Sequence, residues 1–333
     1  MSIEIIAENA QGFEGSPLLT MQLLRAAATA GASAAKYQLV YADELATPDY
    51  EYYDMNKGLE MPDEVWKELK DYADSLGVEL IFDIFGNRSL KLAESLGSKT
   101  VMLHATDITN TSLLRQVSLG PIERVILGAG GAHLHEIANA LKVLVNKKVC
   151  VMLGYQGYPT PDEHNQISRV GYLSNWLEGR YENVAVGFSD HSLPDSELVT
   201  SLSAMALGAG ASSFEKHLTI AQVMKYEDYE SAINPDQFAA YVESLTACSK
   251  AFGITSVSSD FGMSASEVGY RQIIRRHVVT SEFIKAGTTV SEQNFVFKRS
   301  SVKGVLTSVQ DLLGKKAVND IDTNQPVTLN DFK

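Results

Sequence analysis

The sequence predicts an α/β protein: a (β/α)8 TIM barrel followed by a small β-rich module at the C-terminal end. Eight short apolar runs alternate with segments of helical periodicity before residue 256, which is the pattern of a parallel sheet with helical crossovers. Eight such pairs in this length of chain are typical of a closed barrel. A doubly wound open sheet is disfavoured because no G-x-G-x-x-G phrase follows the first apolar run.

Each predicted strand is a run of about five residues with a helix-like segment after it. The strands are predicted over residues 3–7, 34–38, 79–83, 100–104, 124–128, 150–154, 184–188 and 212–216. Several of the helix-like segments close on Gly, as a left-handed C-terminal cap requires, and Ser16 is placed to cap the first of them.

A change in composition divides the chain into two domains. Residues 256–274 are rich in Ser and Gly and lack an apolar period, which predicts a linker between a catalytic barrel over 1–255 and a module over 275–333. Two similar phrases, at 284–290 and 321–328, predict the short-strand turns of a small β-rich fold.

Composition excludes several classes of function. The net charge of -13 and a pI near 5.0 argue against non-specific binding to nucleic acid or to an anionic membrane. An anionic substrate would therefore need a local cationic pocket. Cys150 and Cys248 do not have the spacing of a metal site. The chain begins with a strand pattern and not with the pattern of a signal peptide. Together these observations predict a cytoplasmic protein.

The active site of a barrel lies just beyond the C-terminal ends of its strands. The sequence places there Glu8, Lys36, Asp83, His104, Gly128, residues 155–161, residues 189–191, Lys216 and His217. Of these, His191 and His217 follow the last two predicted strands and predict a divalent-metal site with positions open to water or substrate. The alternative is a pair of hydrogen-bonded barrel histidines, and His104 is either a third ligand or a filler.

Charged groups near the first two strands allow two interpretations each. Lys36 either forms an ion pair with Glu8 across adjacent strands or contacts substrate. The acidic, Tyr-rich stretch over residues 43–64 is either a lid or a solvated loop.

A series of phrases resembles, in order, the motifs of the sialic acid (N-acetylneuraminate) synthase family. They lie at residues 7–16, 34–38, 107–114, 158–165, 186–192, 214–219 and 226–238. Residues 275–299 and 312–332 are similar to the family's antifreeze-like (SAF) module. The resemblance implies a metal-assisted condensation of phosphoenolpyruvate with the aldehyde of an N-acetylated, ManNAc-like amino sugar, giving a nonulosonic (sialic) acid. It also implies a homodimer in which each antifreeze-like module reaches over its partner's barrel.

The resemblance also assigns roles to individual residues. His191 and His217 match ligands of a divalent metal, Mn or Mg. Glu8 and Asp228 match carboxylates that hold the sugar hydroxyls and metal-bound water, and Tyr158 matches a tyrosine that lines the pocket.

Further roles concern the groups that bind substrate. Lys36 and Ser189 match groups around the enolpyruvate carboxylate. Arg299 matches an arginine that the module offers to the N-acetyl group. Gln156 and Asp83 stand at substrate-binding positions with altered side chains.

The chain departs from the family pattern on the phosphate side of the pocket. Asp83 replaces a Thr, Gly128 replaces a Ser, and Met102 and Ala105 stand in a phrase that is Lys-Ile-x-Ser in the family. A carboxylate at the position of a dianion is unfavourable. Either other groups, such as the backbone amides of residues 128–133, hold the phosphate, or the protein is a metal-dependent aldolase or lyase acting on a non-phosphorylated 2-keto acid. A non-catalytic sugar-binding homologue is a third alternative.

Overall fold

The computed structural model describes residues 3–155, 157–253 and 261–333. The chain divides into two compact units, Met1–Gly253 and Ile254–Lys333.

The first unit is a closed barrel of eight parallel strands. The strands are β1 Glu4–Glu8, β2 Ala34–Leu39, β3 Glu79–Ile84, β4 Thr100–Leu103, β5 Arg124–Gly128, β6 Lys148–Leu153, β7 Val184–Asp190 and β8 Ala211–Leu218. Each strand pairs with the next in the chain, and β8 pairs with β1, which closes the barrel. The predicted TIM barrel is confirmed. A short ninth strand, β9 Ala232–Ile233, adds to the end of β8.

Ten helices accompany the strands within the described part of this unit. They are α1 Pro17–Thr29, α2 Ala42–Leu45, α3 Tyr53–Gly58, α4 Asp63–Leu76, α5 Asn87–Ser95, α6 Thr111–Leu119, α7 Leu134–Val143, α8 Ser168–Leu177, α9 Val199–Gly208 and α10 Pro235–Phe252. Ser16 caps α1 by accepting the Leu19 N–H at 3.3 Å, as predicted. Helices α2 and α3 lie in the acidic stretch after β2.

Strand alternation gives the barrel two chemically different interior layers. The lower layer is apolar and buried, and consists of Ile6, Ala34, Ile81, Met102, Ile126, Cys150 and Met152. Two residues further along their strands, Glu8, Lys36 and Asp83 point to the same side and form part of a polar layer near the C-terminal ends. The opposite faces of the strands pack against the helices in the main hydrophobic core.

The pairing of β7 with β8 contains an irregularity. Val186 pairs with Ala211, but the next residue, Gly187, pairs with Ser213, so that Ser212 is an extra residue in β8. A bulge of this kind changes which residues of a strand face the interior. Beyond it, Glu215 stands opposite Ser189, and both side chains face inward.

The second unit is small and β-rich, as predicted. Helix α11 Ala265–Ile274 occupies the last ten residues of the predicted linker, while residues 256–260 of that linker lie outside the described residues. Strands β10 His277–Thr280 and β11 Phe295–Lys298 pair antiparallel. The two similar phrases of the sequence meet at Ile284 and Ile321, which exchange backbone hydrogen bonds of 2.9 and 2.8 Å. A separate apolar core forms around Val278, Leu312 and Val327.

Candidate active site

Lys36 lies at the centre of a buried carboxyl cluster inside the barrel. Its Nζ is 2.6 Å from Glu8 Oε2 and 2.7 Å from Glu215 Oε2. Strands β2 and β8 flank β1, so these three side chains converge from neighbouring strands. The ion pair with Glu8 is therefore present in this chain. Ser189 completes the cluster by donating its hydroxyl to Glu215 Oε1 at 2.7 Å.

The cluster distributes its protons unequally. Burial raises the pKa of Glu8 to about 8, although Lys36 opposes the shift. Burial alone would also raise the pKa of Glu215, but the charge and hydrogen bond of Lys36 and the hydroxyl of Ser189 bring it below the usual value. Glu215 is thus the ionised partner of Lys36, and Glu8 is able to take or release a proton near neutral pH.

Asp83 adds a third carboxyl to this layer. It is 1% exposed, and its Oδ1 has no hydrogen-bond partner among the described residues. Burial, reinforced by Glu215, raises the pKa of Asp83 to about 8 against the opposing charge of Lys36. In the sheet, Asp83 stands beside Met102 of β4, whose sulfur contacts Lys36. This part of the pocket is acidic and apolar, and its one ammonium group is already paired.

The space beside β5 is filled by the chain itself. A Cβ at Gly128 would lie 2.7 Å from the Ala105 amide nitrogen and 3.1 Å from Met102 Cε. A serine at position 128 would therefore overlap its neighbours. Among the backbone amides of residues 128–133, that of Ala129 donates to the Met152 carbonyl and that of His133 donates to the Glu136 carboxylate, so neither is free to bind a phosphate.

His191 and His217 meet at the C-terminal ends of β7 and β8. Their ring centroids are 5.0 Å apart, and both residues are 2% exposed. The Nδ1 of His191 and both ring nitrogens of His217 are buried and have no hydrogen-bond partner among the described residues. Burial lowers the pKa of His191 to about 4 and lowers that of His217 well below its ordinary value. Both imidazoles are neutral at pH 7 and carry lone pairs that no protein donor in the described residues uses.

These unpartnered nitrogens suit a metal ion. Neutral imidazole is a ligand of Mn and other divalent ions, and a buried nitrogen without a partner is unfavourable unless a ligand uses it. Among the described residues, no group of three or more His, Cys, Asp or Glu side chains converges on one position. His104 therefore does not join the pair as a third protein ligand. Two ligands leave most of a coordination shell to water and substrate.

Tyr158 and Asp228 border the histidine pair and the loops around it. The Tyr158 ring stands edge-on to His191 and His217, with centroids 5.2 and 5.7 Å away. Asp228 has a positive φ of 65°, and its Oδ2 accepts the Gln11 N–H at 3.3 Å. Burial raises the pKa of Asp228 to about 6. Non-glycine residues in this backbone region are uncommon and often functional, which fits a carboxylate held at the mouth of the barrel.

The remaining predicted residues lie elsewhere. Lys216 points away from the barrel interior, where it bonds the Ser192 carbonyl at 2.9 Å and pairs with Asp190 at 3.4 Å, so its interpretation as a cation at the active site is wrong. Strand β8 continues to Leu218, and alternation places Lys216 opposite to His217. Arg299 belongs to the second unit and is exposed. Gln156 lies outside the described residues.

Sequence reasoning missed Glu215, which forms the ion pair with Lys36. The signal was available in the alternation of β8, because Ser213, Glu215 and His217 occupy one face of that strand.

Comparisons with known proteins agree with this architecture. A sequence profile of the NeuB family matches residues 23–256, and one of the SAF domain matches residues 275–333. The chain belongs to the NeuB family. This match confirms the resemblance that the motifs indicated, and it covers the whole set of barrel residues from Lys36 to Asp228.

Similar proteins match over almost the whole chain. An uncharacterized protein, MJ1065 of Methanocaldococcus jannaschii, is 28% identical over 98% of this chain and 94% of its own length. The N,N'-diacetyllegionaminic acid synthase of Legionella pneumophila is 24% identical over 95% of this chain and 90% of its own length. Pseudaminic acid and N-acetylneuraminate-9-phosphate synthases also match. The family thus includes synthases of nonulosonic acids.

A solved structure supports the fold. The putative spore coat polysaccharide biosynthesis protein E of Chromobacterium violaceum superposes with a TM-score of 0.82 and 21% identity, and the match covers 100% of both chains. No helix of the described residues is long and apolar enough to cross a membrane.

Proposed function

We propose that this protein is a nonulosonic acid synthase that condenses phosphoenolpyruvate with the open-chain aldehyde of an N-acetylated, ManNAc-like amino sugar, assisted by Mn or Mg. The observation that carries the proposal is the buried pair of neutral histidines with unpartnered nitrogens beside Tyr158, in a barrel of the NeuB family. Relatives that synthesise nonulosonic acids support the same class of reaction.

In the proposed site, His191 and His217 hold the metal, which when bound supplies Lewis-acid polarisation of the aldehyde oxygen. Asp228 and Glu8 accept hydrogen bonds from sugar hydroxyls, and Glu8 exchanges a proton near neutral pH because its pKa is about 8. Tyr158 stands edge-on to the histidines and forms one wall of the pocket.

The donor is assigned to the cluster around Lys36, which lies beside the histidine pair. Lys36 and Ser189 lie beside the enolpyruvate carboxylate, with Asp83 and Gln156 as further substrate-binding positions. Carbon 3 of the donor forms a bond to the aldehyde carbon, and the aldehyde oxygen takes up a proton. Water adds to carbon 2, and inorganic phosphate leaves.

A second candidate is an aldolase or lyase that uses a 2-keto acid without phosphate. It is favoured by the acidic layer, in which Lys36 is already paired with two carboxyl groups and Met102 fills the space beside Gly128. A buried dianion placed beside these carboxyl groups would be unfavourable. In this reaction Glu8 removes a proton from carbon 3 of the keto acid, carbon 3 forms a bond to the aldehyde carbon, and the aldehyde oxygen gains a proton.

One assay separates the candidates. The protein is incubated with Mn or Mg, N-acetylmannosamine and either phosphoenolpyruvate or pyruvate, and nonulosonic acid and inorganic phosphate are measured. Product with equimolar phosphate supports the synthase, whereas product from pyruvate alone supports the aldolase. Ligand-dependent thermal stabilisation without any product would instead assign a non-catalytic sugar-binding homologue.

The proposal includes the cytoplasmic homodimer that the resemblance implies. There, Arg299 of each chain serves the N-acetyl group of the sugar in the partner's site. An Arg299→Ala variant should raise KM for the sugar while leaving KM for the donor unchanged. Sedimentation of a monomer under assay conditions would remove this part of the proposal.

A further inference from the structure

The second unit contains a cavity of about 820 Å³ that has no assigned role. One side of the cavity is formed by the end of α11 and the start of β10, and the other side by the loop that follows β11. Its lining residues are Arg271, Ile273, Arg275, His277, Ser300, Ser301, Val302, Lys303, Gly304, Val305 and Thr307. This lining, taken from the described residues, contains three permanent cations and no carboxylate. The cavity is basic, whereas the polar layer inside the barrel is acidic.

The three cations of the cavity have no counter-ion among the described residues. In the part of the chain that the structure describes, Arg271, Arg275 and Lys303 make no ion pair within 4.0 Å, whereas Lys36, Arg124 and Lys216 in the barrel are all paired. Cations gathered around one cavity repel one another, and an anion between them relieves that repulsion.

The charge of the whole chain makes this arrangement more distinctive. Residues 1–253 carry 33 acidic and 18 basic side chains, whereas residues 254–333 carry 8 acidic and 10 basic ones. The cavity with the unpaired basic residues therefore lies in the unit that carries a net positive charge, although the protein as a whole is acidic. A local site of this kind can capture an anion that the rest of the surface repels.

His277 provides a second, independent indication of a ligand. It is 9% exposed, lines the cavity, and its Nδ1 is buried without a hydrogen-bond partner among the described residues. A buried ring nitrogen without a partner is unfavourable, and an oxyanion in the cavity would accept its N–H. Ser301 and Thr307 also line the cavity, and each carries a hydroxyl group that is able to donate a hydrogen bond.

We propose that this cavity binds a phosphate-type oxyanion, either inorganic phosphate or a phosphate monoester. Guanidinium groups match the tetrahedral phosphate by paired N–H donors, and a buried imidazole and hydroxyls complete the shell. The site lies within one unit of the chain and is independent of the reaction proposed for the barrel.

Isothermal titration calorimetry on the full chain tests the proposal, with inorganic phosphate and phosphoenolpyruvate as separate probes. Chelator is present, so that no metal at the histidine pair contributes heat. The wild type should bind phosphate saturably, and binding should weaken as salt rises. The double variant Arg271→Met/Arg275→Met should bind at least about tenfold more weakly, because it removes two charge-assisted donors.

Arg276→Met is the matched control, since Arg276 is an exposed neighbour that does not line the cavity, and it should bind as the wild type does. Circular dichroism and thermal melting show whether each variant is folded. No phosphate or phosphoenolpyruvate binding by the wild type, or equal loss in the control, would overturn the proposal. If the double variant instead changes the oligomeric state while the wild type binds no anion, the cavity is an interface with a second copy and not an oxyanion site.

Discussion

Replacing Asp83 by Asn should make the barrel more stable at alkaline pH and leave its stability unchanged in acid. In the folded chain Asp83 is buried and keeps its proton up to about pH 8, whereas in the unfolded chain it loses that proton above about pH 4. Between these values the unfolded state binds fewer protons than the folded state. The free energy of unfolding contributed by this group therefore falls as pH rises through that window.

The size of the effect follows from the same shift. A displacement of about 4 pKa units at about 1.4 kcal/mol per unit gives roughly 5 kcal/mol of stability lost by pH 8. Asn has nearly the shape of a protonated Asp but does not titrate. The Asp83→Asn variant should therefore match the wild type near pH 4 and exceed it by several kcal/mol at pH 8.

Urea unfolding at pH 5, 6, 7 and 8 measures this difference. Tryptophan fluorescence reports on the barrel, because Trp66 and Trp176 both lie in the first unit. Asp54→Asn, a change at an exposed position of α3, is the control and should follow the wild-type curve at every pH. A difference between Asp83→Asn and wild type that is negative, or that does not grow with pH, would refute the argument from a buried, protonated carboxyl.

Three further substitutions test the site. His217→Ala should abolish the rise in melting temperature on adding Mn, while His135→Ala, at an exposed position, should retain it; an unchanged shift in the first variant would remove the metal proposal. Lys36→Met should cost about 3–5 kcal/mol in urea unfolding, because two buried carboxyl groups lose their cation, and a loss under about 1 kcal/mol would show that the ion pairs contribute little. Gly128→Ser should destabilise the barrel by about 1–3 kcal/mol, since its Cβ would lie 2.7 Å from a backbone nitrogen, and wild-type stability would show that the pocket accommodates a serine.

The fold could be predicted because its signal is local and repeated. Each strand is a short apolar run, each helix has its own period, and eight such pairs allow few topologies. Placing His191 and His217 together required only that both follow neighbouring strands, and their rings do meet. Features that depend on where a strand ends, or on which strand it pairs with, are harder to predict. The sequence predicts that this strand ends at residue 216 and places Lys216 at the active site, whereas β8 runs on to Leu218 and Lys216 points away from the interior.

Contacts between distant segments escaped prediction for a different reason. Alternation in β8 places Glu215 on the inward face, but its pairing with Lys36, 179 positions away in the chain, depends on how the strands assemble. Similarly, the side chain of Met102 fills the space beside Gly128, which is evident only when β4 and β5 lie side by side. The residue identities indicate that the phosphate side of the pocket is altered, but only the packing shows that the altered residues fill that space.

The extra residue at Ser212 gives β8 a point where the length of the chain can change without changing the chemistry of the interior. Deleting Ser212 would remove the bulge and leave Gly187 opposite Ser213 and Ser189 opposite Glu215, so that the inward side chains keep their faces. Deleting Phe214 would instead advance the rest of β8 by one position against β7, so that Lys216 would face inward and Glu215 and His217 would turn toward the helices. For homologues of this chain, a gap of one residue at the bulge is therefore compatible with the same interior, whereas the same gap between Ser213 and His217 is a warning of altered function.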